Sequence, residues 1–433
     1  MGRPAHPGDP RHVRSRRPAP PGRTRTDRQH RPLRGAFPEG NIRWTEQGER
    51  PQAAQVSEIL SSLPAPSWFA HPGARTWTCL PAPADVHGFH AALPDYTPTP
   101  LTELPSLAAE LNVGRVFVKD ESCRLGLPAF KALGASWAVH RTLAERAGHQ
   151  VADSQEADGQ VTLVTATDGN HGRAVARMAR MLGQRAHVFV PQGVHPAAAA
   201  AIAAEEAQVT EVAGNYDEAV RRAAAEVDAS EAAVLIQDTA WPGYERIPGW
   251  IVEGYATLFA EIDAQLAAVE AGSPDLVAIP VGVGSLAQAA VTHYRSGSDS
   301  AAPAALLSVE PDSAAGVLTS LTRQAPVTVT TGETTMAGLN CGTPSTLAWP
   351  YLRDGLDAAI AVTDADSARA ADDLAALGVP SGPCGAASLA GVRAALTGDG
   401  APTRRAALSL GPASTLVLLS TEGTAANPQH LEN

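Results

Sequence analysis

From about Trp68 onward the chain repeats one unit: a short apolar or β-branched run, a turn rich in glycine or polar residues, and a stretch with helical spacing. "RVFVKDES" leads into "AFKALGASWAVHRTLAERAG", "VTLVTATDGNHG" into "RAVARMARMLG", and "RAHVFVPQGV" into "PAAAAAIAAEEAQ". The formula returns in "QVTEVAG", "NYDEAVRRAAAEV", "AAVLIQD" and "DLVAIPVGVGSLAQAAVTHYR", and a last strand reads "STLVLLSTEG". Strands alternating with helices of this length require a parallel sheet, because parallel neighbours are joined only by a crossover long enough to bring the chain back. The fold class is α/β, with parallel-type sheets flanked by helices. No fixed-period repeat is present, which excludes a solenoid. At 433 residues the chain is long enough for two lobes. The expected division is a folded region over 51–433, with a smaller lobe inserted at roughly 135–240.

Residues 1–50 depart from this pattern. They are rich in Arg and Pro, poor in apolar residues and aperiodic, so they read as a disordered extension. The formal net charge of −12 argues against nucleic acid or an anionic membrane as partner, because surfaces that bind those are basic. No apolar run reaches the roughly 18 residues a bilayer span needs. Cys79, Cys123, Cys341 and Cys384 lie far apart, without the close spacing of structural zinc, and the histidines show no ligand pattern. These features predict a cytoplasmic protein that works on small molecules and holds no metal.

Ligands of open parallel sheets bind beyond the carboxyl ends of the strands, so the strand-to-helix turns carry the search for a site. In "IPVGVGSLAQAA", Gly282, Val283, Gly284 and Ser285 stand between a strand and a helix, where small residues let backbone N–H groups close on an anion. Neither the third glycine of a dinucleotide fingerprint nor the Lys-Ser/Thr of a P-loop is present, which points to a monophosphate. "TATDGNHG" crowds Thr167, Asp168, Asn170 and His171 at another strand end. One of them can cap the helix that follows, and four are more than capping needs. The third turn, "RLGLPAFKALGASWAV", sets Lys131 among apolar neighbours. Desolvation there predicts a lowered pKa and an amine able to form a Schiff base. An imine-forming lysine, a phosphate cup and a carboxylate-sized polar turn together meet the needs of pyridoxal 5'-phosphate and an amino acid.

With these stretches in view, the sequence resembles the fold type II pyridoxal-phosphate enzymes, the tryptophan synthase β-like group, and within it most of all the diaminopropionate ammonia-lyases. "DGNHG", "QDTAW" and "AGLNCGTPS" are the specific matches, and the resemblance runs from about Tyr96 to Gly423. It implies that Lys131 holds the cofactor, with Phe130 packed near its ring. Asn170 would bond the ring oxygen, and Thr167, Gly169 and His171 would receive the substrate carboxylate. Gly282, Val283, Gly284 and Ser285 would take the phosphate. Ser420, with Thr421 as the alternative, would face the pyridine nitrogen. Asp168 would be the acid opposite the lysine, and Asp238 would recognise the substrate's second amino group. The implied reaction is elimination of ammonia from 2,3-diaminopropionate by a homodimer. A serine or threonine dehydratase and a catalytically silent cofactor-binding protein are the competing readings. Leu125, Pro128, Ala135 and Trp137 depart from the family pattern, and Trp137 is expected to shape a pocket wall.

Overall fold

The computed structural model describes residues 67–152, 160–167, 169–297 and 303–426. The stretch 1–50 and Asp168 lie outside the described residues. In chain order the strands are β1 (Trp68–Ala70), β2 (Leu101–Glu103), β3 (Arg115–Asp120), β4 (Thr162–Ala166), β5 (Arg185–Pro191), β6 (Gln208–Val212), β7 (Ala233–Leu235), β8 (Leu276–Pro280), β9 (Ala305–Pro311), β10 (Ala358–Val362) and β11 (Thr415–Ser420). They form a seven-stranded sheet in the order β1-β10-β9-β8-β11-β3-β2 and a four-stranded sheet in the order β6-β5-β4-β7. Among the strands of the described residues, only the edge pairings, β1 with β10 and β2 with β3, are antiparallel. The four-stranded sheet is parallel throughout and comes from residues 162–235.

The near-continuous apolar runs are explained by burial on both faces. Along β8, Leu276 and Ala278 enter one core while Val277 and Ile279 enter the other; along β11, Leu416 and Leu418 oppose Val417 and Leu419 in the same way. Successive side chains point to opposite faces, so a strand with helices on both sides must be apolar at every position.

Both sheets change direction at one point. From β8 the chain builds outward through β9 and β10, then returns to place β11 on the other flank of β8; from β4 it builds through β5 and β6, then places β7 on the other flank of β4. Neighbouring crossovers part company at such points and leave a crevice beyond the strand ends.

Two helices fix the geometry beside that crevice. The lysine helix (Lys131–Ala152) crosses the helix Arg246–Gly254 through a pair of glycines. A Cβ on Gly254 would lie 2.6 Å from the Leu133 carbonyl oxygen, and one on Gly134 would lie 2.6 Å from Tyr255 Cε1 and 2.8 Å from the Ile251 carbonyl oxygen. Any side chain at either position would force the helices apart. Trp137 belongs to this crossing, which corrects its expected place at a pocket wall. It is 1% exposed, its Nε1–H donates to Glu253 Oε2 at 2.9 Å, and the Arg141 guanidinium lies 5.4 Å from its ring. His90 packs alongside: its Nε2 lies 3.0 Å from the Leu133 carbonyl oxygen and its Nδ1 2.7 Å from Thr257 Oγ1. A carbonyl only accepts, so Nε2 carries the proton.

The turn that leads from β3 to Lys131 is held by a buried cluster of two cations and two anions. Lys119 Nζ meets Glu261 Oε2 at 2.7 Å, and Arg124 meets Glu121 at 2.7 Å and Glu261 at 2.6 Å. The hydrogen bonds run through Thr99 and Gln265 as well, so the buried charges are matched and saturated. Burial raises the Glu261 carboxyl, and the Arg124 and Lys119 partners more than reverse this, bringing it down to about 2.

Candidate active site

A cavity of about 510 Å³ opens where the two switch points meet. From the seven-stranded sheet it is lined by the segments after β8 (Gly282, Val283, Gly284 and Ser285) and after β11 (Thr421 and Glu422). From the four-stranded sheet come Thr167, Gly169, Asn170 and His171 after β4 and Asp238 after β7. Phe130 and Lys131, at the start of the lysine helix, complete the wall together with Tyr255 and Cys341. The cavity thus gathers Phe130, Lys131, Thr167, Gly169, Asn170, His171, Asp238 and the Gly282–Ser285 loop, which lie far apart in the chain.

The chemistry centres on Lys131, whose Nζ is 2.5 Å from Asp238 Oδ2. Burial pushes the ammonium pKa down, but the carboxylate of Asp238 more than reverses this and raises it above the ordinary lysine value. This corrects the expectation from the apolar sequence context: Lys131 is held as a cation by a residue 107 positions away. Asp238 shifts the opposite way; burial opposes its charge, and the Lys131 ammonium brings its pKa well below the carboxylate range. His171 is 3% exposed and donates from Nε2 to the Ile236 carbonyl oxygen at 2.8 Å. Its Nδ1 is therefore a lone pair, 3.9 Å from Asp238 Oδ2 and without a hydrogen bond among the described residues. That end turns toward Asp238 and offers an incoming carboxylate no donor. Burial lowers the His171 pKa, which keeps the ring neutral.

The glycine loop builds an anion cradle. Gly284 precedes the helix Ser285–Arg295 at φ +102°, a left-handed conformation that favours glycine, and a Cβ there would strike Leu352 Cδ1 at 2.6 Å. The helix behind it brings its unpaired first-turn N–H groups and the positive end of its dipole to the loop. At the opposite wall the Thr167 hydroxyl accepts from the N–H groups of Gly169 (3.0 Å) and Gly172 (3.1 Å), shaping the turn into the helix Asn170–Met181.

Two features differ from the sequence expectation. Ser420 does not line the cavity: it ends a fully buried strand and its hydroxyl donates to Ser381 Oγ at 2.8 Å, whereas Thr421, the alternative, does line it. Cys341, one of four scattered cysteines to which the sequence assigns no role, is part of the cavity wall.

Sequence reasoning also missed Tyr255 and Glu422. Tyr255 is 1% exposed, packs against Phe130 with ring centroids 4.8 Å apart, and has its phenol pKa raised by burial. Glu422 accepts from Asn170 Nδ2 at 2.9 Å and from the Cys384 N–H at 3.2 Å. Burial raises its carboxyl, against the pull of those donors. A charged residue two positions beyond a fully buried strand was the available signal for Glu422.

Pyridoxal 5'-phosphate fits this set. The amine it needs lines the same cavity as a loop whose Gly284 takes a left-handed conformation, and Asn170 and Thr421 line that cavity too. A parallel fold with these groups at joined switch points defines a class of enzyme, and the chain belongs to it: residues 92–410 match the family of pyridoxal-phosphate dependent enzymes. Within that family the chain is 38% identical over 298 residues to the diaminopropionate ammonia-lyase of Salmonella typhimurium strain LT2, covering 66% of this chain and 73% of the relative. It is 38% identical over 275 residues to the diaminopropionate ammonia-lyase of Escherichia coli K12, covering 61% and 68%. The solved structure of the Escherichia coli enzyme in complex with an aminoacrylate-PLP azomethine reaction intermediate superposes with a TM-score of 0.71 at 32% identity, over 80% of this chain and 89% of that one. The architecture is that of the fold type II enzymes, shared with a threonine deaminase at 24% identity and a TM-score of 0.63, over 79% of this chain and 98% of that one.

Proposed function

We propose that the protein is a diaminopropionate ammonia-lyase, which converts 2,3-diaminopropionate and one water to pyruvate and two ammonia. The observation that carries this reading is the Lys131–Asp238 pair. A fixed carboxylate 2.5 Å from the amine suits a substrate with a second, cationic amino group, and a hydroxyl substrate has no use for that charge. The family's cofactor supplies the electron sink that stabilises negative charge developing on the substrate Cα. Gly282, Val283, Gly284 and Ser285 would hold its phosphate, Asn170 its ring oxygen and Thr421 its pyridine nitrogen, with Phe130 packed beside the ring.

Once the substrate's β-ammonium takes over the Asp238 carboxylate, Lys131 loses the partner that keeps it protonated, and its neutral Nζ takes the Cα proton on one face of the substrate. Asp238 holds the β-ammonium, so that nitrogen leaves as neutral ammonia. Asp168 takes the Cα proton of the opposite enantiomer. The residues around the four-stranded sheet, roughly 135–240, form the smaller lobe, and the molecule works as a cytoplasmic homodimer.

The test is an assay of pyruvate and ammonia from D- and L-2,3-diaminopropionate, serine and threonine, run on the wild type and Asp168→Asn. Two ammonia per pyruvate from diaminopropionate, with one enantiomer spared by Asp168→Asn, is the expected result. Faster turnover of serine or threonine would replace the reading with a dehydratase. Equal loss for both enantiomers would remove Asp168 from its role.

A further inference from the structure

We propose that Glu422 is a positioning residue that fixes the side-chain amide of Asn170 across the two sheets. Glu422 follows β11 of the seven-stranded sheet, and Asn170 opens the first helix after β4 of the four-stranded one. The two are 252 positions apart, and the bond between Asn170 Nδ2 and Glu422 Oε2 is 2.9 Å long.

Three observations make Glu422 a fixed point. Its carboxylate is 4% exposed, and its other oxygen accepts the N–H of Cys384 at 3.2 Å, within the first turn of the helix Pro383–Leu396, where the dipole favours negative charge. Its carbonyl accepts the Gly382 N–H at 2.9 Å. Its neighbours in sequence clamp the turn leading to the lysine: Thr421 O accepts from the Phe130 N–H at 3.1 Å, and the Gly423 N–H donates to the Pro128 carbonyl at 2.9 Å. Glu422 is therefore rigid with respect to Lys131.

A carboxylate only accepts, so the nitrogen of the Asn170 amide is the end that must face it. Glu422 thereby sets which end of the amide, and in which plane, is presented to the cavity. The role rests on the cofactor of the family and is independent of which amino acid is the substrate.

The experiment is a double-mutant cycle read by titrating apoenzyme with pyridoxal 5'-phosphate, following the visible absorbance, with the thermal midpoint of each sample recorded. Asn170→Ala is expected to raise the cofactor Kd on the order of tenfold, the scale of one hydrogen bond to a charged or cofactor group. Glu422→Ala is expected to raise it by a similar factor, and the double variant to be no weaker than the poorer single. Glu422→Gln can still turn its oxygen to Asn170, so it should stay within about threefold of wild type. Should Glu422→Ala fail to fold, the cycle of Glu422→Gln with Asn170→Ala carries the same test: the small effect of Gln must vanish once Asn170 is Ala. Multiplying effects in the double variant, or an unchanged Kd in Glu422→Ala, would overturn the proposal. Because cofactor binding is the readout, failure here is separate from failure to turn over diaminopropionate.

Discussion

His90 shows how much one buried, fully bonded side chain can weigh. Burial takes its pKa from 6.5 down to about 4. The folded state therefore prefers the neutral ring, and between those two values the unfolded chain binds more protons than the folded one. Stability from this group is complete above pH 6.5 and is lost as pH falls toward 4. At about 1.4 kcal/mol per unit, the loss between pH 7 and pH 5 comes to roughly 2 kcal/mol. Other buried groups, Glu310 with its raised carboxyl among them, also titrate over this range, so the His90 part is read as the difference between wild type and His90→Gln, each unfolded in urea at both pH values. An unchanged slope in the variant would assign the pH dependence elsewhere. Glu261 does not obscure the result, because a carboxyl held near 2 loses its contribution only below its unfolded value of 4.5. At this scale the sequence told only half of what matters. Lys131 stood out because a lysine in an apolar run is unusual, yet its partner Asp238 could not be inferred from that run, and the partner reverses the sign of its pKa shift.

The crossing of the lysine helix with the helix Arg246–Gly254 is the most demanding contact between elements, since both glycines meet backbone or side-chain atoms below 3.0 Å from a virtual Cβ. Gly254→Val should destabilise the protein by about 2–3 kcal/mol, the upper range for overpacking. It should also cut activity, because Tyr255 follows directly and Lys131 begins the opposing helix. Denaturant unfolding and a turnover assay on the same preparation check both, and wild-type stability would show that the helices can separate freely. The strands were legible because two-sided burial leaves β8 with no polar position and restricts those of β9 and β11 to Ser308, Glu310, Thr415 and Ser420. The three-residue edge strands β1 and β2 were not, since so short a run carries no period. Trp137 was misplaced for a related reason. Helical spacing gives the face on which it lies but not the element that face meets, and that element begins about a hundred residues later.

The whole molecule places its ligand groups on two sheets that share few local sequence contacts. Only the assembled fold brings Lys131, Asn170 and the Gly282–Ser285 loop to one cavity, so a cofactor that bridges them binds the native state and not the unfolded chain. At a hundredfold excess over its Kd, such a ligand stabilises by about 2.7 kcal/mol. Differential scanning of apoenzyme with and without pyridoxal 5'-phosphate should show a rise of several degrees that increases with cofactor concentration. Lys131→Ala should retain a smaller shift from the phosphate cradle alone. A midpoint indifferent to concentration would mean that the cavity does not hold the cofactor. The individual turns of this site were legible one by one, through glycine and polar clusters after apolar strands. Their meeting was not, because it depends on where each sheet reverses its order.

That arrangement also separates two kinds of evolutionary risk. The side chains that hold the fold lie inside the strands, at positions with essentially no exposure, while Gly282–Ser285, Thr421, Glu422, Thr167, Asn170 and Asp238 lie on segments beyond the strand ends. Loops on a rigid scaffold accept change more readily than the scaffold itself. A chain built this way can explore new amino-acid substrates by drift in a few connecting segments, while the buried core is inherited intact.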